Sequence, residues 1–302
     1  MANRKTRSQR FGRGIISVIP FALLFSTLSA QAQKEPVYTL KLKFLTGDIS
    51  RYQTIAEIIT RLPSQGQKNA GTSSFAVNLT QQMRVKRSLS GGGGEISVET
   101  LSGQLLQNGE PRPITNPKPV RIVYDSRGNI TGFKASPNVP GDSFAGVIGS
   151  GALGMLRVYL PPNPVKIGEE WSQPVEIPGL TWAGKGVAKA KLIRLEKVGR
   201  FQTVRIRAAF SLPLNIYINA TLQPVNDKKL ATAVLTGTLY MNFDNNFALQ
   251  EGKIIKSGGS GTANVHFSAL PTAKGVPPKR ISNGLENAKM TMEMHVGSNL
   301  LE

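Results

Sequence analysis

Hydrophobic and polar residues alternate over long stretches of this chain. Between Tyr38 and Phe44 every second residue is apolar, and Lys41 and Lys43 stand at intervening positions. The same alternation recurs from Phe75 to Leu79 and from Val204 to Phe210. A period of two places the apolar set on one face of a β-strand and the polar set on the other. Each run therefore predicts a strand with one buried face and one wet face.

Turn-forming residues such as Gly47-Asp48, Asn108-Gly109 and Asp125 to Asn129 separate these runs at short intervals. Short connections between consecutive strands imply antiparallel meanders. We therefore predict a mainly β protein whose long antiparallel strands form a curved sheet or half-barrel. The predicted strands cover 37–45, 49–62, 74–89, 94–106, 119–124, 129–135, 185–198, 202–212, 214–222, 229–243, 247–257, 260–269 and 286–296. Gly258-Gly259 is interpreted as one of the turns.

One segment breaks the alternation. From Asp142 to Arg157 the only charges stand at the two ends, and four glycines interrupt an apolar run. We predict a Gly-rich helix over 141–157, linking a first β-meander half at 33–140 to a second at 158–302. Residues 33–302 are alternatively one domain. Such apolar stretches are usually core, but here they are also candidates for lining a ligand cavity: Phe144, Val147, Ile148, Leu153, Met155 and Leu156.

The first 32 residues have the pattern of a cleaved secretory signal. A basic leader without acidic residues precedes an apolar run from Ile15 to Leu28, and Ala30-Gln31-Ala32 follows as a small-x-small cleavage site. The apolar run is shorter than the ~20 residues that a membrane-spanning helix needs. We expect export to a periplasm or the medium, cleavage after Ala32, and no integral membrane span in the remaining chain.

Composition narrows the possible chemistry. The chain has no Cys and only two His, which excludes disulfides, thiolate metal sites and thiol nucleophiles. His266 and His295 fall in separate predicted strands, and no Gly-x-Ser-x-Gly elbow occurs. Glu169-Glu170 and Asp244 resemble a glycosidase carboxylate pair, but both belong to turn patterns. We predict no catalytic residues, metal or cofactor, so the protein is not expected to be an enzyme; a hydrolase site assembled from distant residues is the least favoured alternative.

The chain is strongly basic, with 37 Lys and Arg against 18 Asp and Glu and a net charge of +19. Such an excess favours anionic surfaces, and export makes nucleic acid the least favoured partner. The densest cluster follows two predicted strands joined at Gly199. It is either a solvated sheet surface or a contact for an anionic envelope polymer or membrane surface. Its residues are Lys185, Lys189, Lys191, Arg194, Arg205 and Arg207.

A motif follows the predicted helix: Val158-Tyr-Leu-Pro-Pro-Asn-Pro-Val165-Lys-Ile-Gly168-Glu-Glu-Trp171. It resembles the Leu-Pro-x-x-Pro-Val-x-x-Gly-Asp-x-Trp motif of exported, β-rich bacterial proteins of unknown function, with Glu169 in place of Asp. The layout is also remotely similar to the half-open β-barrels of lipoprotein localisation carriers, which hold acyl chains.

Two functions follow from these patterns. The first is an exported, non-enzymatic protein that carries or sequesters an apolar or lipid-like ligand in the bacterial envelope. The alternative is an envelope structural or interaction protein that binds anionic polymers or a membrane surface through the basic sheet face.

Overall fold

The computed structural model describes residues 35–61, 71–113, 119–134, 159–175, 184–220, 231–270 and 289–301. These residues form twelve strands and one turn of 3-10 helix at Ser90–Gly92. The strands are β1 (Ile49–Arg61), β2 (Thr72–Ser88), β3 (Gly94–Gln107), β4 (Glu110–Pro113), β5 (Val120–Tyr124), β6 (Ile130–Lys134), β7 (Glu170–Val175), β8 (Gly186–Val198), β9 (Phe201–Ala220), β10 (Ala231–Ala248), β11 (Lys253–Leu270) and β12 (Lys289–Leu301).

All the strands belong to one open antiparallel sheet, so the prediction of a mainly β fold built from antiparallel meanders is confirmed. The strand order is β6-β5-β3-β2-β1-β12-β11-β10-β9-β8-β7, and β4 pairs with β3 outside this path. Strands β1 to β6 form one half of the sheet and β7 to β12 form the other half. The two halves join where β1 pairs with β12, through partners such as Tyr52 and Leu300.

Alternate residues of each strand face opposite sides of the sheet, and the main core lies on one of them. A small second cluster, Phe201, Ala248 and Ile255, is buried on the other. In β9, Val204, Ile206 and Ala208 are buried, while Arg205 and Arg207 point the other way. We call the side of the main core the inner face and the opposite side the outer face. This arrangement is what the alternating sequence predicts.

The predicted strand at 37–45 is wrong, although its alternating burial is present. Leu40, Leu42 and Phe44 are buried in the core, but within the described residues the run forms only an isolated β-bridge, between Tyr38 and Val165. Alternation depends on which side chains are buried, not on hydrogen bonding to a neighbouring strand, so it does not distinguish an extended segment from a strand.

Three predicted strand breaks are also wrong: those at 213, at 244–246, which lies inside β10, and at 258–259. Strand β9 runs through Pro213, where its ladder with β8 has ended at Ser211 and the proline takes part only as an acceptor, through the hydrogen bond from the Gly184 amide to its carbonyl oxygen. Strand β11 runs through Gly258 and Gly259, where the inner-face ring of Phe243 leaves no room for a Cβ on Gly259. Strands β4 and β7 were not predicted.

Several predictions concern residues that the structure does not describe. The leader at 1–32 and the helix at 141–157 lie outside the described residues, which contain no α-helix. Accordingly, the described part of the chain has no helix long and apolar enough to cross a membrane.

Candidate functional site

The inner face is largely apolar in both halves of the sheet. Full burial of one large aliphatic or aromatic side chain contributes about 1.5–3 kcal/mol to the free energy of folding. On this face Phe210 stacks on Phe243, with 5.7 Å between ring centroids. The fully buried aliphatic and aromatic side chains include Leu79, Ile96, Ile122, Leu192, Ile206, Leu212 and Phe247.

Residues 36–46, which we call the crossing segment, lie over this face at one end of the sheet. The short turns of β2–β3, β5–β6, β8–β9 and β10–β11 are all at that end, which we call the short-turn end. Phe44 lies over Gly94, where an added Cβ would stand 2.3 Å from its ring. Its ring also stacks on Tyr124, at 6.2 Å between centroids.

Two backbone hydrogen bonds show how closely the crossing segment draws distant turns together. The amide of Leu42 donates to Ser126 O in the β5–β6 turn at 2.8 Å, and that of Lys43 donates to Gly252 O in the β10–β11 turn at 2.9 Å. These two oxygens are therefore within about 10 Å of each other, since consecutive Cα atoms are about 3.8 Å apart. Measured along the sheet, β5 and β11 are separated by about 24 Å, at about 4.8 Å per strand. The two turns approach each other across the inner face.

A second segment, 159–169, forms backbone hydrogen bonds near both edges of the sheet, in the β5–β6 turn and in β8. The amide of Leu160 donates to Arg127 O in the β5–β6 turn at 3.3 Å, while the amide of Gly168 donates to Leu192 O in β8 at 2.7 Å. Between these anchors, Val165 exchanges backbone hydrogen bonds with Tyr38 of the crossing segment. The short-turn end is thus covered by two extended segments.

The sequence motif that begins at Val158 stabilises this second segment. Gly168 adopts a φ of 89°, which favours glycine, and the Glu169 carboxylate accepts the amide hydrogen of Lys166 at 2.8 Å. The Trp171 indole donates to Tyr159 O at 2.7 Å. These contacts give the described part of the motif a structural role in closing the sheet end.

The predicted ligand-lining residues Phe144, Val147, Ile148, Leu153, Met155 and Leu156 lie outside the described residues. The other predicted set is described in full, on or next to β8 and β9. Lys191 pairs with Glu170 at 3.0 Å, and Arg194 pairs with Glu196 at 2.7 Å. Lys185 and Lys189 are exposed.

Asp244 connects the two remaining cations of that set. Arg205 binds it through two nitrogens, at 3.1 and 3.0 Å, and Arg207 Nε lies 3.3 Å from the same carboxylate. Desolvation opposes ionisation of Asp244, but the hydrogen bonds and charges of Arg205 and Arg207 together lower its pKa. The hydrogen bond from Arg194 likewise lowers the pKa of Glu196. Four of the six predicted cations are therefore bound to carboxylates.

The carboxylates that resemble a glycosidase pair are far apart. Glu170, Lys191, Arg207 and Asp244 occupy successive positions of one row across four strands. Three strand spacings are about 14 Å, beyond the roughly 5–9.5 Å that glycoside hydrolysis requires. Within the described part of the chain, no group of three His, Asp or Glu is placed to hold a metal ion.

Sequence reasoning missed a set of polar residues on the inner face. Thr54, Ser257, Ser298 and Asn245 are all buried among apolar neighbours. Periodicity places each at a buried position, but only the strand register shows that they form one row.

Comparison of the chain with protein-family models and with curated proteins found no match.

Proposed function

We propose that the protein is an exported, non-enzymatic carrier that holds an apolar or lipid-like ligand against the inner face of a half-barrel. The observation that carries this proposal is the inner face itself. One sheet forms a largely apolar surface that spans both of its halves, and two extended segments cover it at the short-turn end. Acyl chains are retained by such surfaces because each buried CH₂ contributes about 0.8 kcal/mol.

The close approach of the β5–β6 and β10–β11 turns supports the half-barrel geometry. Curvature of that kind turns an apolar face into a concave one, and ligand sites are usually concave and mostly apolar. The buried polar residues of the described part of the chain include no Lys, Arg, Asp or Glu. A ligand at the inner face would therefore meet no charged group among them.

The alternative, binding of an anionic polymer or membrane surface through the outer face, receives less support. Lys191, Arg194, Arg205 and Arg207 already have carboxylate partners. A polyanion would have to compete with these carboxylates for the same four side chains.

The carrier proposal is tested by native mass spectrometry and organic extraction of protein exported by bacteria and purified without detergent. We expect one apolar or amphiphilic molecule per chain, or uptake of the apolar fluorescent probe N-phenyl-1-naphthylamine by the extracted protein. A clean apo mass together with no probe uptake would overturn the proposal.

A matched pair of variants localises the binding. Met292, on the inner face of β12, is buried, whereas Ile55, on the neighbouring strand β1, is 47% exposed. Met292→Gln keeps a side chain of similar length but adds a polar group. We therefore expect probe affinity to fall on the order of tenfold, equivalent to about 1.4 kcal/mol. Ile55→Gln should leave affinity unchanged, and circular dichroism checks that both variants are folded. Equal affinities for the two variants would place the probe elsewhere.

A further inference from the structure

The inner face carries one polar row within its apolar surface. Thr54 of β1 is the register partner of Ser298 in β12, Ser298 is the partner of Ser257 in β11, and Ser257 is the partner of Asn245 in β10. Their exposed fractions are 2%, 1%, 5% and 0%. Four neighbouring strands thus present a polar side chain at the same height of the sheet.

Apolar side chains flank this row on both sides. Toward the short-turn end the next inner residues include Leu300 and Phe247, and toward the other end they include Ala56 and Phe243. The polar row is therefore a narrow band, about 14 Å across its four strands at about 4.8 Å per strand. The outer face supplies none of these residues, because all of them have the inner parity of their strands.

Two hydroxyl groups in the band have no hydrogen-bond partner among the described residues. These are the buried Thr54 Oγ1 and Ser298 Oγ, whose residues are register partners. A buried hydroxyl without a partner is costly, and an apolar side chain of the same shape would avoid that cost. Valine at position 54 would suit the strand equally well, since it has the same β-branched shape as threonine.

We infer that this band is the seat of an uncharged hydrogen-bonding group on the ligand, such as the hydroxyl or ester of a long-chain alcohol or acyl ester. The inference rests on the proposed carrier function and specifies its ligand class. The row contains hydroxyl and amide side chains and no charged one, and an ionised group buried there would be desolvated without a counter-charge. An alkyl chain would lie on the apolar residues beside the band.

The test measures selectivity, not only affinity. Decan-1-ol, methyl decanoate, 1-chlorodecane and ionised decanoate each compete with N-phenyl-1-naphthylamine for the extracted full-length protein. We expect the alcohol and the ester to be preferred over 1-chlorodecane, and decanoate to be the weakest competitor. Thr54→Val and Ser298→Ala should each reduce the alcohol-to-chlorodecane preference by several fold to about tenfold, the range of one hydrogen bond.

The same variants should stabilise the ligand-free protein, because each removes a buried unpaired hydroxyl. We expect a rise in Tm of about 2–4 °C for Thr54→Val. Thr262→Val is the control, since Thr262 lies exposed on the outer face of β11, and it should change neither selectivity nor Tm appreciably. A gain in stability together with a loss of selectivity is not expected of a purely structural residue.

The outcomes separate this inference from the proposal on which it rests. If no competitor displaces the probe and no ligand is extracted, the carrier function fails. If 1-chlorodecane and the alcohol both bind but Thr54→Val and Ser298→Ala leave their ratio unchanged, the carrier function stands and the polar band is not a ligand seat. Preference for ionised decanoate would likewise overturn the inference.

Discussion

The two faces of the same strands solve different problems. On the inner face of β9, Ile206 and Ala208 are completely buried, and neighbouring residues contribute mainly by excluding water. On the outer face of the same strand, Arg205 and Arg207 share Asp244. The inner face therefore supplies the free energy of folding, whereas the outer face distributes charge.

The outer face also shows how a basic chain with few acids arranges its charges. Lys and Arg outnumber Asp and Glu 37 to 18, so a one-to-one pairing is impossible. Asp244 contacts two arginines. In the half of the sheet formed by β1 to β6, Glu95 also contacts two, Arg87 at 2.8 Å and Arg121 at 3.7 Å. Each of these carboxylates offsets the repulsion between two cations, which lie on one strand, β9, in the first case and on the two strands that flank β3 in the second.

We expect the largest difference in stability between substitutions on the two faces within β9. Ile206→Ala removes a completely buried side chain and should lower the free energy of unfolding by about 2–5 kcal/mol. Arg207→Ala, one residue away on the outer face, should lower it by less than about 1 kcal/mol, because exposed ion pairs contribute little. Urea denaturation of both variants measures the difference. Comparable losses would show that the outer charge network is as important for stability as the core.

A smaller contrast is expected at two adjacent glycines in β11. A Cβ at Gly259 would stand 2.5 Å from the Phe243 ring and 2.7 Å from Asn242 O, while a Cβ at Gly258 meets nothing within 4 Å. Gly259→Ala should therefore destabilise the protein by about 1–3 kcal/mol through overpacking. Gly258→Ala should be neutral or stabilise it by up to about 1 kcal/mol, since alanine restricts the unfolded chain. Thermal unfolding of the two variants distinguishes them, and a destabilised Gly258→Ala variant would contradict the assignment of faces.

Sequence periodicity was sufficient to predict which residues face inward, because burial on one face imposes a period of two. It correctly placed Leu40 and Phe44 in the core and Lys191 and Arg207 outside. It could not predict partners. The pairing of β1 with β12 joins residues from opposite ends of the chain, and nothing in either strand's alternation specifies that neighbour.

The polar band and the ion pairs depend on register in the same way. Thr54 is an ordinary β-branched residue in its own strand, and its significance emerges only beside Ser298. Asp244 was expected in a turn because Asp-Asn-Asn is typical of turns, yet it lies within β10 opposite Arg207. Cross-strand contacts outweighed the local preference for a turn at this position.

The smallest expected effect concerns that carboxylate. Asp244→Asn removes the charge shared by Arg205 and Arg207, so we expect the free energy of unfolding at pH 7 to fall by about 0.5–1 kcal/mol, the range of exposed or partly exposed pairs. Glu170→Gln is the matched control, since Glu170 is bound only by Lys191 among the described residues and its side chain is 70% exposed. Its effect should be smaller.

The contribution of Asp244 to the free energy of unfolding depends on pH. The pKa of Asp244 is lowered in the folded protein, so its contribution to stability is complete above the pKa of the unfolded chain, about 3.9, and is lost as the pH falls through the lower folded-state pKa. The stability difference between wild type and Asp244→Asn should therefore be largest near neutral pH and shrink in acid. Urea denaturation at pH 7, 4 and 2.5 measures it. A difference that stays constant over this range would mean that Asp244 acts through its hydrogen bonds alone, and the outer face would then owe its order to geometry instead of charge.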